Sequence, residues 1–179
     1  RRARAGHLLA ALGLTATFAV ERWLHEGARL GLRAALVAGV LVAGARLDRY
    51  PRLAGLHRRV VWVGAWCVPA GLALAAVDPA WRLAALHVTF VGGFAALALA
   101  VGLHVAASHA DDPTPLDRRP WQVALMAGLL VAAVGLRLAM ALDPARLWTW
   151  LGASSAAFLL ATLAWGVFTI PRLLRSSTP

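Results

Sequence analysis

The chain has little of what soluble enzymes commonly use. Its 179 residues include a single cysteine, Cys67, so neither an intrachain disulfide nor a cysteine-based zinc or iron–sulfur cage can form. There is no phosphate-binding glycine loop, no metalloprotease histidine pair, no nucleophile elbow and no dinucleotide fingerprint. The sequence therefore carries no signature of soluble catalysis, and Cys67, within an apolar run, is interpreted as a small buried hydrophobe.

Charge is also scarce. Charged residues make up 15% of the chain and hydrophobic residues 60%, whereas a soluble domain is about half apolar and about a quarter charged. The apolar excess must face a solvent other than water, which predicts a membrane protein. The net charge of +10 does not indicate nucleic-acid binding, because the arginines lie between apolar runs, where they orient membrane helices.

Six apolar segments come close to the roughly 20 residues that a helix needs to cross the hydrocarbon core of a bilayer. The predicted spans are residues 7–23, 30–45, 60–77, 81–109, 121–141 and 147–170. Proline and aspartate, which both end helices, recur in the breaks "VDPAW", "DDPTPLDRRP" and "LDPARLW". We therefore predict an all-α fold, a single bundle over residues 1–179 with six transmembrane helices.

The arginines divide unequally between the two sides of such a bundle. With six spans, twelve arginines share a side with both termini and five lie on the opposite side, while Arg137 falls inside a span. Short loops rich in arginine remain in the cytoplasm. This distribution predicts that both termini are cytoplasmic.

Ionisable side chains inside apolar spans are rare, and each is a functional hypothesis by default. His87 and Arg137 are predicted at similar depth near the outer face, where a neutral imidazole beside a guanidinium suits a haem iron and its propionates. His25 is a further imidazole on that side. In the structural alternative, His87 donates to a carbonyl of a neighbouring helix and Arg137 extends to the lipid headgroups.

Two more histidines, His104 and His109, follow His87 in the same span. His87 and His109 are 22 residues apart, which on a uniform α-helix returns them to nearly the same face but separates them by about 33 Å. His104 and His109 point about 140° apart on such a helix. Neither pair is therefore expected to share a metal. His109 is followed by the acidic residues of "ADD", and this group either binds copper or is solvated.

The order of residues also resembles a known family. The stretch "ALHVTFVGGFAALALAVGLHVAASH" resembles the central signature of the NnrS family, a His-led span followed by a Gly-rich stretch and a closing Gly-His turn. The final two spans, with an Arg late in one and "SSAAF" in the next, resemble that family's last two helices. In this comparison His87 matches the leading histidine, His109 the terminal one and Arg137 the arginine, whereas the family usually has Arg at the position of His104.

The resemblance implies a multi-pass protein of the bacterial inner membrane, either the C-terminal six-helix half of a longer protein or a short relative. It also implies binding of haem b and copper and a role in the nitric oxide or nitrosative-stress response. We expect cofactor contacts from His87, Arg137 and His25, and metal ligands among His87, His109 and His104. The expected partners are the lipid bilayer, nitric oxide or another small ligand, and a second copy of the chain, but no nucleic acid.

Two alternatives remain open at this point. A haem-bearing membrane quinone oxidoreductase would need two imidazoles facing each other at matched depth on different helices, and His25 is the evident outer-side partner for His87. A cofactor-free structural or partner-binding bundle would need only faces of small residues and arginines that extend to the headgroups. The sequence does not assign a catalysed reaction to the chain.

Overall fold

A computed structural model describes residues 2–110, 116, 118 and 120–175. Short 3-10 turns at Pro79–Trp81 and Pro144–Arg146 precede two of its helices. The described part of the chain contains no strand, which confirms the all-α prediction. Its six long helices are α1 (Arg2–Ala19), α2 (Glu26–Ala43), α3 (Leu56–Val77), α4 (Arg82–His109), α5 (Trp121–Leu142) and α6 (Leu147–Arg175).

Four of these helices, α3 to α6, are long and apolar enough to cross a membrane. The pair α1–α2 is less apolar: α2 carries Glu26, Arg29 and Arg33, and the apolar stretch of α1 is only Leu8–Ala19. The six predicted spans therefore fall into two groups, four that meet the length and hydropathy of a membrane span and two that do not.

The largest apolar cluster lies where α4, α5 and α6 meet. Leu103, Val123, Met126 and Phe168 are fully buried there. The indole N–H of Trp165 also donates to the carbonyl of Leu99 at 3.0 Å, which ties α6 to α4. Because lipid tails are as apolar as these side chains, close packing rather than exclusion from water stabilises the cluster.

Helices α3 and α4 approach each other backbone to backbone at Gly71. A Cβ at this position would lie 2.6 Å from the carbonyl oxygen of Ala85, far inside van der Waals contact. The Thr89 hydroxyl donates to the carbonyl of Val68 at 3.2 Å and forms a polar link across the same contact. The absence of a side chain at Gly71 therefore sets the spacing of the two helices.

Helix α4 changes its winding in the middle. Residues Val88–Ala95, which include Gly92 and Gly93, form a π-helix between two α-helical parts. Each π-helical hydrogen bond spans five residues instead of four, so the rotation per residue is smaller. The prediction that His87 and His109 share a face assumed uniform α-helical geometry, and that assumption is wrong over these eight residues.

The pair α1–α2 is held by an ion network. The Glu21 carboxylate accepts from Arg29 at 2.6 Å and from Arg33 at 3.2 Å, and Arg33 Nε also donates to the Thr17 hydroxyl at 3.1 Å. At the start of α4, Arg82 pairs with Glu26 at 2.6 Å and connects the pair to the rest of the bundle. Several of the charges near these two helices are therefore paired within the protein.

Candidate functional site

The antiparallel course of α3, α4 and α5 places the candidate residues at two opposite ends of the bundle. Gly71 of α3 faces Ala85 of α4, and a Cβ at Gly92 of α4 would lie 3.3 Å from Val134 of α5. The end of the bundle that contains His87 and Arg137 is called the His87 end, and the end that contains His57 and His104 the His57 end. His87 and His104 are 17 residues apart along α4, roughly 25 Å in helical rise.

His87 is half-buried and lies directly before the π-helical segment. Its Nδ1 is 2.7 Å from the carbonyl oxygen of Leu83. A carbonyl only accepts hydrogen bonds, so Nδ1 carries the proton and Nε2 keeps its lone pair. The hydrogen bond goes to a carbonyl of its own helix rather than to a neighbouring helix, and it orients the ring in the way that metal-ligating histidines are usually oriented.

Arg137 is held against α6. Its Nε donates to the Ser154 hydroxyl at 2.9 Å and its Nη2 to the Ser155 hydroxyl at 3.4 Å, while Ser154 donates in turn to the carbonyl of Ala133 at 2.9 Å. Ser154 is buried, at 3% exposure. The half-buried guanidinium therefore bonds two hydroxyls of α6, whereas the structural alternative has it extend to the headgroups.

The indole N–H of Trp150 lies one helical turn from Ser154, which bonds Arg137. Trp150 precedes Ser154 by four residues on α6, so the two side chains share a face. Among the described residues, Trp150 Nε1 is buried and has no hydrogen-bond partner. A buried donor without an acceptor costs about 1–3 kcal/mol, which makes this position suitable for an acceptor supplied by a ligand.

His25 serves as a helix cap. Its Nδ1 accepts a hydrogen bond from the backbone N–H of Gly27 at 3.2 Å, at the start of α2, and the side chain is exposed. In the neutral ring that accepts at Nδ1, the proton sits on Nε2. With that tautomer no lone pair of His25 is free to bind a metal.

At the His57 end, two imidazoles lie against each other. The ring centroids of His57 and His104 are 5.9 Å apart and their planes are 13° from parallel. His57, at the start of α3, is only 3% exposed and both of its ring nitrogens are buried, whereas His104 is exposed. They line a cavity of about 240 Å³ together with Arg58, Val61, Ala100 and Val101.

Sequence reasoning selected His104 but missed His57, which follows the arginine-rich junction "LDRYPRLAG" and is easily taken for part of a loop. The sequence nevertheless contained an indication that His57 and His104 lie at the same depth. His57 lies 23 residues before Ala80 in the turn between α3 and α4, and His104 lies 24 residues after it. In an antiparallel helix pair, positions at nearly equal distances from the turn lie at matched depth.

A second cavity, of about 250 Å³, lies between α3, α4 and α5. Its lining is mainly apolar and includes Gly64, Cys67, Gly92 and Leu130, with Arg59 at one end. Cys67 is half-buried there, and its sulfur would be 3.3 Å from a Cβ at Gly92. The thiol thus occupies a packed position among apolar side chains, as a small hydrophobe would.

His109 is exposed at the last residue of α4. The acidic residues predicted to accompany it, Asp111 and Asp112, lie outside the described residues. Within the described part of the chain, no group of three or more histidine, cysteine, aspartate or glutamate side chains could hold a metal ion. The arrangement brings His104 together with His57 and leaves His87 and His109 at opposite ends of α4.

Comparison with known proteins extends the resemblance over nearly the whole chain. The family model described as NnrS protein matches residues 1–177, which includes α1 to α3 as well as the helices that carry the quoted motifs. Comparison with curated proteins and with solved structures found no match. The long apolar helices and the extent of the family match agree, and the chain is a membrane protein that belongs to the NnrS family.

Proposed function

We propose that this chain is a haem-binding protein of the bacterial inner membrane that acts in the response to nitric oxide or nitrosative stress. Membership of the NnrS family supports this role, and the four long apolar helices support a membrane location. The proposal includes copper as a second cofactor and assigns no catalytic turnover. It rests on the chemistry of the groups at the His87 end.

The single observation that carries the proposal is the hydrogen bond from His87 Nδ1 to the Leu83 carbonyl at 2.7 Å. It fixes the tautomer that leaves Nε2 as a lone-pair donor, which is what a haem iron requires of an axial histidine. The half-buried position next to a π-helical segment also agrees with a functional role, because such segments occur frequently at functional sites.

The groups around Arg137 fit the acidic edge of a haem. The guanidinium, positioned by Ser154 and Ser155, and the unpartnered indole N–H of Trp150 are donors suited to a propionate carboxylate. When bound, haem supplies an iron that accepts a diatomic ligand such as nitric oxide. In this proposal His87 binds the iron and Arg137 compensates the charge of a propionate.

We further propose six membrane crossings, with α1 and α2 as the first two and both termini in the cytoplasm. The Glu21 network supports the crossing of α2, because pairing Arg29 and Arg33 with a carboxylate lowers the cost of placing them near the hydrocarbon. The excess of arginine on the side of both termini supports the orientation.

The visible spectrum of the purified protein in detergent tests the proposal. It is recorded as isolated, after reduction with dithionite and after addition of nitric oxide, with metal analysis on the same sample. We expect a Soret band that shifts on reduction and again with nitric oxide, and that is lost or strongly altered in His87→Ala. His109→Ala, at the exposed end of the same helix, is the matched control and should keep the wild-type spectrum.

Two results would contradict the proposal. A protein that stays colourless after reconstitution with haem would indicate a cofactor-free bundle. A His87→Ala variant with an unchanged Soret band and an unchanged response to nitric oxide would exclude His87 as the iron ligand.

A further inference from the structure

We propose that the cavity of about 250 Å³ between α3, α4 and α5 holds one acyl chain of an anionic phospholipid whose phosphate binds Arg59. The site requires only that the chain lies in a membrane, so it is independent of haem and of the proposed role in the nitric oxide response. Its support comes from the length and lining of the cavity, from the charge at one end of it and from the loop that precedes α3.

The cavity has the length and the lining of a site for one acyl chain. On α3 its lining extends from Leu56 to Cys67, eleven positions later, which is roughly 16 Å of helical rise. The hydrocarbon core of a bilayer is about 30 Å thick, so this length is close to that of one leaflet. Apart from Arg59, the described residues of the lining are apolar side chains, glycines and Cys67. Such a surface suits a hydrocarbon chain better than a polar ligand of the same length.

The cavity is open to the surroundings of the bundle. Val63 of α3 is 50% exposed and Val131 of α5 is 72% exposed, and both belong to its lining. Ala96 of α4 and Leu130 of α5 line it as well and are buried. The cavity therefore extends from an exposed apolar surface into the bundle. In a membrane that surface faces acyl chains, so the chain of a neighbouring lipid can enter between α3 and α5.

A positive charge lies at the end of the cavity nearest the start of α3. Arg59 is exposed and is the one charged side chain among the described residues of the lining. None of the ion pairs found in the described part of the chain includes it. It lies in the first turn of a helix long enough to span the membrane, at the level of the headgroups. Since a guanidinium binds phosphate oxygens through charge-assisted hydrogen bonds, Arg59 is placed to bind the phosphate of the lipid whose chain fills the cavity.

The loop before α3 adds positive charge in a fixed position. The carbonyl of Leu47 accepts hydrogen bonds from the indoles of Trp62 and Trp66, at 2.8 and 3.0 Å, which holds the loop against α3. Arg59 lies over the ring of Tyr50 in the same loop, 5.8 Å from its centroid. The loop segment "RLDRYPR" contains three exposed arginines and one aspartate. This excess of positive charge favours an anionic over a zwitterionic headgroup, as in other basic pockets between membrane helices.

Native mass spectrometry of the delipidated protein in detergent tests the site. The probe is phosphatidylglycerol, compared with phosphatidylcholine that carries the same acyl chains. We expect one bound phosphatidylglycerol per chain, with an affinity about 10-fold above that of phosphatidylcholine. Arg59→Ala should abolish this preference, and Arg59→Lys should recover part of it. Arg146→Ala, which removes the same charge at the opposite end of the bundle, is the matched control and should change the preference by less than about 2-fold.

A second variant tests the acyl chain separately from the headgroup. Ala127 of α5 lines the cavity and is only partly exposed, so the larger side chain of Ala127→Leu occupies space that the acyl chain needs. We expect the affinities for both lipids to fall about 10-fold, as for the loss of one or two buried methylene groups, with their ratio unchanged. Gly128→Ala, one residue later, is the control, because nothing lies within 4 Å of a Cβ there.

Three results would overturn the site. A preference for phosphatidylglycerol that is absent in the wild type, or unchanged in Arg59→Ala, would exclude a phosphate contact at Arg59. Unchanged affinities in Ala127→Leu would mean that the acyl chain lies elsewhere. Displacement of the lipid by inorganic phosphate at the same concentration would indicate an anion site without an acyl chain. Conversely, a preference that depends on Arg59 in a protein that binds no haem would support the lipid site and contradict the proposed function.

Discussion

The two ends of α4 hold their histidines in different ways. At the His87 end, the imidazole is oriented by a carbonyl four residues earlier in its own helix, and Arg137 by two serines of the neighbouring helix. At the His57 end, His104 faces an imidazole that lies 47 residues earlier in the sequence. A local motif can therefore indicate the first arrangement, whereas the second exists only through the packing of α3 against α4.

The largest loss of stability is expected at Gly71, because both ends of the bundle depend on the contact between α3 and α4. Gly71→Ala places a Cβ 2.6 Å from the Ala85 carbonyl and forces α3 and α4 apart, at a cost of about 3 kcal/mol in the free energy of unfolding. Thermal unfolding in detergent, followed by size-exclusion chromatography, measures the loss. The Soret band should decrease as well.

Gly128→Ala on α5 is the control for this substitution, because nothing lies within 4 Å of a Cβ at that position. Its stability should be unchanged or higher by up to about 1 kcal/mol, since alanine is the better helix former. Equal effects of the two substitutions would mean that the close contact between α3 and α4 does not limit stability.

The second-largest effect is expected on haem retention and should be confined to the His87 end. Arg137→Ala removes the donor assigned to the propionate and should weaken haem retention by about 2 kcal/mol, roughly 30-fold, as expected for a charge-assisted hydrogen bond. Arg137→Lys should recover part of the affinity, because it keeps the charge but not the planar geometry. Haem transfer to apomyoglobin measures retention.

A smaller loss of stability is expected when the hydrogen bond between α4 and α6 is removed. Trp165→Phe removes the indole donor to the Leu99 carbonyl and should lower the free energy of unfolding by about 1 kcal/mol. Trp148→Phe changes a tryptophan that is 79% exposed and is the matched control, with no expected effect. Unfolding in detergent measures both variants, and a loss as large in Trp148→Phe would contradict the assignment.

The smallest effect is expected in the α1–α2 pair. Glu21→Gln removes the charge that pairs with Arg29 and Arg33, and because the carboxylate side chain is 43% exposed the cost should be only about 0.5 kcal/mol. Limited proteolysis between α1 and α2 at low and high salt measures it. The difference from wild type should shrink as salt screens the ion pairs, and a difference that grows with salt would contradict this origin.

Much of the helical framework was predictable from the sequence. Long apolar runs and the Asp-Pro breaks at "VDPAW" and "LDPARLW" predict helices where α3 to α6 lie. The π-helical segment Val88–Ala95 was not predictable, because apolar composition does not distinguish a four-residue from a five-residue hydrogen-bond spacing. The angle between His87 and His109 therefore differs from the value for a uniform α-helix, and their shared face stays a prediction.

The candidate site was predictable only in part. His87 and Arg137 stand out as polar residues in apolar runs, and each remains a predicted haem contact. Hydropathy did not indicate the serines that hold Arg137, because Ser154 and Ser155 look like ordinary small residues of a packed helix. His57 was overlooked because its neighbours are arginines, although its distance from the turn matches that of His104.

The sequence by itself determined the class of the molecule and the spacing of residues along each helix, because hydropathy and helical rise depend only on the order of residues. It also determined the family, since the signature from Ala85 to His109 is continuous in the chain. Only the tertiary structure decided which side chains meet. The packing of α3 against α4 brings His57 beside His104, and the packing of α5 on α6 gives Arg137 its serines, because contacts between helices depend on their relative depth and rotation.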